Sequence, residues 1–269
     1  MPVAQTPTGH RPDTAGTVSV PTSTIGASTT RPSPIAVDLG SGQLRIRLGS
    51  HELVGDRSVR RYPVVRRGRI IDGAGCAAAL AQLLRQHHVG VPARPLVVVC
   101  RPLLATAADQ DMTRRVLDAV FAPARLLFID TVRAAAIGAG AGAGTLLVAD
   151  VGAQLTEVAI LRDSQVIAGR RANLGTCDLA HGATVEMLAD TLTRLVRELT
   201  RGPGAVPSAA TALARGMVIV GDGATRPDLR DRLAATMGTS VHRAAGPRTA
   251  ALTGASLAAA AAARHPAAD

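Results

Sequence analysis

The sequence has almost no aromatic side chains: there is no Trp, and the two Phe residues and the single Tyr are the only aromatics in 269 residues. Hydrophobic residues still make up 47% of the chain, which is enough for a sizeable core. That core must therefore consist of Val, Leu, Ile and Ala. The scarcity also argues against a platform for single-stranded nucleic acid, because such platforms stack bases on aromatic rings.

Lysine is absent, so all 30 basic residues are Arg and the formal net charge is +10. Arg in place of Lys, together with abundant Ala and Gly, is typical of the coding bias of a GC-rich genome. The positive charge is therefore weak evidence for a nucleic-acid partner, and we expect no specific one.

Cysteine is scarce, and the three residues, Cys76, Cys100 and Cys177, are scattered without the spacing of metal ligands. This usage is typical of a reducing cytoplasm. The sequence also lacks an apolar run of the ~18–20 residues needed to span a bilayer, and it does not open with a signal peptide. We therefore expect a cytoplasmic protein.

The most informative pattern present occurs twice: an apolar run ends in Asp-x-Gly and is followed by a second strand-like run. The first copy contains Asp38 and Gly40, and the second contains Asp150 and Gly152. At such a hairpin tip, glycine lets backbone N–H groups approach an anion, and the carboxylate can orient Mg²⁺ through water. A single copy is equally compatible with an ordinary hairpin turn. Two copies predict two tips that hold one nucleotide between similar domains.

The patterning around the two hairpins predicts the same plan in each half of the chain, namely hairpin, helix, strand and helix. We predict a disordered tail over residues 1–34, a first domain over 35–143 that a C-terminal helix at 250–264 completes, and a second domain over 144–249. A Gly-Ala run at 138–144 is the expected hinge. The predicted helices span 75–87, 109–121, 131–137, 185–200, 227–237 and 252–263, and the further strands 95–100, 126–129, 165–168 and 217–220.

Taken in order, these motifs resemble the actin-like ATPase superfamily, and within it the MreB (rod shape-determining protein) branch. Residues 38–41 match that family's first phosphate loop, and residues 150–159 match its second. Residues 129–140 resemble its connecting helix, and residues 221–224 resemble its adenosine loop. The resemblance implies an α/β fold of two similar ribonuclease H-like (actin-type) domains, each with a mixed sheet flanked by helices.

The same resemblance implies a site for ATP and Mg²⁺ between the two domains. The nucleotide-binding residues that it implies are Asp38, Gly40, Ser41, Gly42, Asp150, Gly152, Gly221, Asp222 and Gly223. Of these, Asp38 and Asp150 are expected to contact Mg²⁺ through water.

Two departures from the family pattern concern the chemistry. The second loop, usually Gly-Gly-Gly-Thr, is here residues 152–155 with the sequence Gly-Ala-Gln-Leu, so that side chains stand where backbone should approach phosphate. The glutamate that positions the attacking water is replaced by Thr131, which cannot polarise water as a carboxylate does. The neighbouring Asp130 is either the N-cap of the following helix or a substitute carboxylate. We expect weak ATP binding and, at most, a weak ATPase.

Missing length is the third departure. Only a short Arg-rich stretch follows the first hairpin, where relatives insert subdomain IB, and few residues separate residues 175–178 from the helix at 185, where they insert subdomain IIB. The resemblance therefore implies a shortened form that lacks both outer subdomains, IB and IIB. In relatives, IIB helps to hold the nucleotide and both subdomains make filament contacts.

Three functions remain open at this point. The first is an MreB-like cytoskeletal protein linked to cell shape or cell-wall synthesis, with weak or absent ATP hydrolysis. The second is a non-hydrolysing, non-polymerising binding module, a pseudo-ATPase that docks on a morphogenetic complex or an MreB-type filament. The third is a sugar or acetate kinase relative, which the loss of segments disfavours. The arginines between Arg57 and Arg69 form either a solvated loop or a surface for an acidic partner or an anionic membrane.

Overall fold

Two five-stranded mixed sheets of the same design form the centre of the fold in this computed structural model. The structure describes residues 33–56, 63–141, 143–201 and 205–265. These residues belong to one compact unit, Pro32–Asp269. The strands are β1 (Ile35–Leu39), β2 (Gln43–Leu48), β3 (His51–Asp56), β4 (Val65–Arg66), β5 (Arg69–Ile70), β6 (Leu96–Arg101), β7 (Arg125–Asp130), β8 (Thr145–Val151), β9 (Thr156–Arg162), β10 (Gln165–Ala172), β11 (Met217–Val220) and β12 (Val241–Arg243).

The first sheet has the strand order β3-β2-β1-β6-β7, and the second has the order β10-β9-β8-β11-β12. In each sheet the first three strands are antiparallel, and the later strands run parallel to the central strand, β1 or β8. The central strands are short, continuous apolar runs because both of their faces are covered. This repeated architecture confirms the predicted fold of two actin-type domains with mixed sheets.

Helices cover both faces of the sheets. The helices are α1 (Gly73–Gln86), α2 (Ala107–Phe121), α3 (Thr131–Gly138), α4 (Val185–Arg201), α5 (Ala209–Ala214), α6 (Pro227–Met237) and α7 (Ala250–Arg264), with short 3-10 helices at Thr176–His181 and Gly223–Thr225. Helices α1 and α2 pack on one face of the first sheet, and α4 and α6 pack on the second. As the composition requires, these cores consist almost entirely of aliphatic side chains.

Helix α7 lies at the end of the chain but packs on the first sheet, beside α3. The two helices cross with their backbones in contact at Gly138 and Gly254. A Cβ atom at Gly138 would overlap the carbonyl oxygen of Ala250, and one at Gly254 would overlap that of Ala134. Glycine is therefore required at the crossing, because no larger residue allows the two backbones to approach so closely.

Five of the strands and helices were not predicted from the sequence. Strand β3 is an edge strand, paired on one side only with β2, and β4 and β5 form a two-stranded hairpin within the arginine-rich stretch. Strand β12 and helix α5 were also missed. Edge strands and very short elements carry little hydrophobic periodicity, so pattern reasoning has little to detect.

The predicted domain boundaries stay a prediction, and the tail predicted over residues 1–34 falls almost entirely outside the described residues. Where the resemblance implies loss of subdomain IB, only residues 57–64 connect β3 to β4, and residues 57–62 are not described. Where it implies loss of IIB, residues 182–184 connect the 3-10 helix to α4. Within the described ranges, no helix is long and apolar enough to cross a membrane.

The α3–α7 crossing generates a test of stability. Replacing Gly254 with Ala forces the two helices apart, and we expect the free energy of unfolding to fall by about 1–3 kcal/mol, as for other overpacked cores. Urea unfolding followed by circular dichroism measures the change. Gly90→Ala is the control, because a Cβ atom there would meet nothing within 4 Å. A Gly254→Ala protein as stable as the wild type would contradict the importance of this crossing.

Candidate functional site

A cleft between the two sheets lies at the carboxyl ends of β1, β6, β8 and β11. In sheets with parallel strands this edge is the usual location of ligand sites. The cleft is lined by eight of the nine residues predicted to bind nucleotide: Asp38, Gly40, Ser41, Gly42, Asp150, Gly152, Gly221 and Asp222. The exception is Gly223, which is buried against the Val151 side chain at the start of a 3-10 helix.

Three carboxyl groups line this cleft: Asp38 near the end of β1, Asp150 near the end of β8, and Asp222 after β11. Burial, followed by the nearby charges of Asp38 and Asp222, raises the pKa of Asp150 to about 7. Burial also raises the pKa of Asp38, although Arg45 partly offsets the effect. The cleft therefore holds carboxylates in a setting where their negative charge is costly.

Two arginines that sequence reasoning missed neutralise part of this charge. Arg45 Nη1 donates to Asp38 Oδ2 over 3.3 Å, and Arg248 Nε donates to Asp222 Oδ1 over 3.1 Å. Asp38 and Arg45 lie directly opposite each other in the β1–β2 register. The signal for this pair was present in the sequence, since residues that face each other across a short hairpin lie on the same face of the sheet.

A fourth carboxyl group, that of Glu157, also lines the cleft and was not predicted to do so. Glu157 is the cross-strand neighbour of Asp150 and is 3% exposed. Burial, followed by the charge of Asp150, raises its pKa well above the usual range, and the backbone N–H of Leu103 donates to it. Glu157 is therefore a buried side chain held by a backbone hydrogen bond, in surroundings that favour its protonated form.

Thr131 lines the cleft, but its hydroxyl donates to the carbonyl oxygen of Arg101 over 3.0 Å. Asp130 stands at the N-cap position of α3, yet its side chain makes no capping hydrogen bond, so the expected cap is wrong. Its Oδ1 accepts instead from Arg101 Nε over 2.8 Å. Asp130 is not among the cleft-lining residues, because this ion pair holds its side chain beside β6.

The two phosphate-loop segments touch each other directly. A Cβ atom built on Gly42 would lie 2.8 Å from the Cβ atom of Ala153. Ala153 is one of the residues that replace family glycines, so its methyl group stands in the gap between the tips. The cleft volume is about 100 Å³, which is small beside the ~300–1,000 Å³ of typical ligand pockets.

The residue types in the cleft thus suit a nucleotide, but the space between the two predicted phosphate loops is restricted. The glycine at 221 has φ +82 and lies against Asp150 and the Val151 backbone, where no side chain could be accommodated. At the other end, the methyl group of Ala153 lies against Gly42 and narrows the space between the two predicted phosphate loops. Within the described ranges no three His, Cys, Asp or Glu side chains form a metal-binding cluster. The nucleotide and Mg²⁺ roles of these residues therefore stay predictions.

The duplicated sheet, with an Asp-x-Gly hairpin at the centre of each copy, defines an actin-type protein. Within that class the chain belongs to the MreB/Mbl family, because the family model described as MreB/Mbl protein matches residues 14–182, more than half of the sequence. A comparison with curated protein sequences finds no match.

Solved structures share this fold at low sequence identity. MreB5 of Spiroplasma citri bound to ADP is similar with a TM-score of 0.74 and 12% identity, over 87% of this chain and 98% of that chain. The same protein bound to AMPPNP is similar with a TM-score of 0.73 and 12% identity, over 84% of this chain and 96% of that chain. The ethanolamine utilization protein EutJ of Carboxydothermus hydrogenoformans is similar with a TM-score of 0.60 and 15% identity, over 84% of this chain and 89% of that chain. At these identities the matches show the fold alone.

The raised pKa of Asp150 predicts a pH-dependent cost to stability. Because the pKa is about 7 in the fold and about 4 in an unfolded chain, the native state binds the proton more tightly. The cost is absent below about pH 4, grows between about pH 4 and 7, and is constant above.

We therefore expect Asp150→Asn to be more stable than the wild type at pH 8, by roughly 1–4 kcal/mol. The advantage should shrink toward pH 5. Urea unfolding of both proteins across this range measures the difference, with exposed Asp190→Asn as the control. A constant difference between pH 5 and 8 would show that Asp150 is ionised throughout.

Proposed function

We propose that this protein is an MreB-family protein linked to cell shape or cell-wall morphogenesis, which binds ATP weakly and hydrolyses it little or not at all. It acts in the cytoplasm. Its role is to present an actin-type surface to other components, and chemical turnover contributes little.

The observation that carries the nucleotide part of the proposal is the convergence of three separate loops on one cleft. Both Asp-x-Gly tips and the loop after β11 line it, although they lie far apart in the sequence. Membership of the MreB/Mbl family also supports nucleotide binding, as do the similar structures of Spiroplasma citri MreB5, which are bound to ADP and AMPPNP. Weak affinity follows from the small cleft and from the Ala153 contact.

Weak or absent hydrolysis is supported by the state of the side chains around the cleft. General-base catalysis needs an ionised group within reach of the water. Thr131 is neutral and donates its hydroxyl to backbone, and Asp130 is paired with Arg101. Burial raises the pKa of Glu157 well above its usual range, and its carboxyl group accepts from the Leu103 N–H. Among the described residues that line the cleft, none places a free, ionised carboxylate at the position of Thr131.

A second candidate is the binding module that neither polymerises nor hydrolyses ATP, and the closed phosphate end favours it. Its partners would be an MreB-type filament or cell-wall synthesis proteins. The arginine-rich stretch contributes less to such a surface than the sequence suggests, because Arg67 and Arg69 form ion pairs with Asp178 and Asp109. An anionic-membrane contact would rest on exposed Arg66 and on arginines outside the described residues.

Isothermal titration calorimetry with Mg²⁺-ATP tests the nucleotide proposal. We expect a dissociation constant far weaker than micromolar, because each tenfold loss corresponds to only about 1.4 kcal/mol of lost contact. Asp150→Ala should abolish the remaining binding heat. Asp190→Ala, on the exposed face of α4, should leave it unchanged. Tight binding that survives Asp150→Ala would place the nucleotide elsewhere.

Electron microscopy of the purified protein with Mg²⁺-ATP at physiological salt tests assembly. Head-to-tail strands require a large repeated contact, and stable interfaces bury about 1,200–2,000 Å². Without the outer subdomains IB and IIB, and with a net charge of +10 on each copy, we expect monomers or small oligomers. The same sample with added full-length MreB serves as the co-assembly arm. Regular protofilaments of the protein alone would overturn the non-polymerising alternative.

A further inference from the structure

The turn between β4 and β5 crosses the cleft from the first lobe (β1–β7 with α1–α3 and α7) to the second (β8–β12 with α4–α6). The Arg67 guanidinium makes a bidentate pair with Asp178, with distances of 2.8 and 3.0 Å. The same group donates to the carbonyl oxygens of Gln154, over 3.0 Å, and Asn173, over 2.5 Å. The backbone N–H of Arg67 donates to Gln154 Oε1 over 3.2 Å. All of these acceptors belong to the second lobe.

The next residue, Gly68, contacts both phosphate loops. Its N–H donates to Ser41 Oγ in the first loop over 3.1 Å. On the other side, a Cβ atom at Gly68 would lie 2.9 Å from Leu155 Cδ2 in the second loop. The turn therefore joins the two tips that are predicted to hold the phosphates.

The residues that depart from the family's second loop are the ones that make these contacts. Gln154 accepts from Arg67 through both its side chain and its backbone, Leu155 packs on Gly68, and Ala153 touches Gly42. The loss of glycines is thus matched by a gain of contacts between the lobes. All three substituted residues therefore take part in contacts between the lobes.

The turn is held in a specific conformation. Arg67 has φ +50, a region that side-chain-bearing residues adopt rarely and at some cost in energy. Bidentate Arg–carboxylate pairs fix geometry as well as supplying energy, and here both partners are partly buried, at 29% and 19% exposure. The hydrogen bonds from Arg67 also lower the pKa of Asp178, so this carboxylate stays ionised.

A second set of contacts lies beside the turn and closes the same side of the cleft. Arg171 Nη1 donates to the carbonyl oxygen of Leu103 over 2.9 Å. The N–H of Leu103 donates to Glu157, and its side chain packs in the core under the second sheet. The first lobe is therefore attached to the second through backbone and side chain at two neighbouring points.

We propose that the Arg67–Gly68 turn is an internal clasp that holds the two lobes closed without nucleotide. The polypeptide bridges the two phosphate loops itself, which is the task that a nucleotide between them would perform. This inference does not depend on the proposed function, because it concerns the nucleotide-free protein.

Double electron–electron resonance (DEER) spectroscopy of the full chain tests the clasp. The protein is first treated with EDTA and freed of nucleotide. Spin labels at Gln82→Cys on α1 and Arg197→Cys on α4, both exposed, report the distance between lobes in a Cys177→Ser background. We expect one narrow distance in the parent protein. In Arg67→Ala we expect the distance to be several ångströms longer and its distribution to be broader, because all the Arg67 side-chain hydrogen bonds across the cleft are lost.

Arg69→Ala is the matched control. Arg69 lies in the same hairpin and pairs with Asp109 over 2.8 Å, but that contact stays within the first lobe. It should leave the distance unchanged. If Arg67→Ala gave the same distribution as Arg69→Ala, or if the parent protein were already broad without nucleotide, the clasp would be refuted.

Two milder variants cover the case in which Arg67→Ala does not fold. Asp178→Asn removes the charge of the partner, and Gln154→Gly restores the family residue while removing the side-chain acceptor. We expect each variant to broaden the distance distribution, and circular dichroism checks that each keeps a native fold. Unchanged distributions in both folded variants would overturn the proposal. Failure of ATP to bind leaves this result unaffected, so the two proposals fail separately.

Discussion

The backbone contact between α3 and α7 is the constraint on which the cleft depends. Helix α3 leads directly from the first sheet into the connection to the second, and α7 returns from the second lobe to pack on the first sheet. Glycines at 138 and 254 allow the two helices to touch, which fixes both connections at once. Residues just before and within α7, Arg248 and Ala251, line the cleft as a result.

The cleft beside this crossing is lined by four carboxyl groups, those of Asp38, Asp150, Asp222 and Glu157. Arg45 and Arg248 neutralise two aspartates, and burial favours the protonated forms of Asp150 and Glu157. A bound metal cation could offset such negative charge. In this chain two arginine pairs and the raised pKa values of buried carboxyl groups already reduce that charge within an actin-type architecture.

The second phosphate loop links this electrostatic picture to the mechanics of the two lobes. Its glycines have been replaced by residues that contact the first lobe, and Arg67 extends across to meet them. A loop that serves as an attachment point cannot at the same time present its backbone freely to phosphate. The proposed weak nucleotide binding and the proposed nucleotide-independent closure would both follow from the same substitutions.

The sequence alone determined the repeated fold, the two Asp-x-Gly tips and the loop at 221, because buried apolar strands and glycine turns are local patterns that survive divergence. Its resemblance to the family also implies that Thr131 stands where relatives have a glutamate. Only the tertiary structure decided what the charged residues do. Arg67 meets Asp178 across 111 positions of sequence, and Asp130 pairs with Arg101 on a neighbouring strand and does not cap its helix. Periodicity carries no information about such pairings, since they arise when distant elements are brought together.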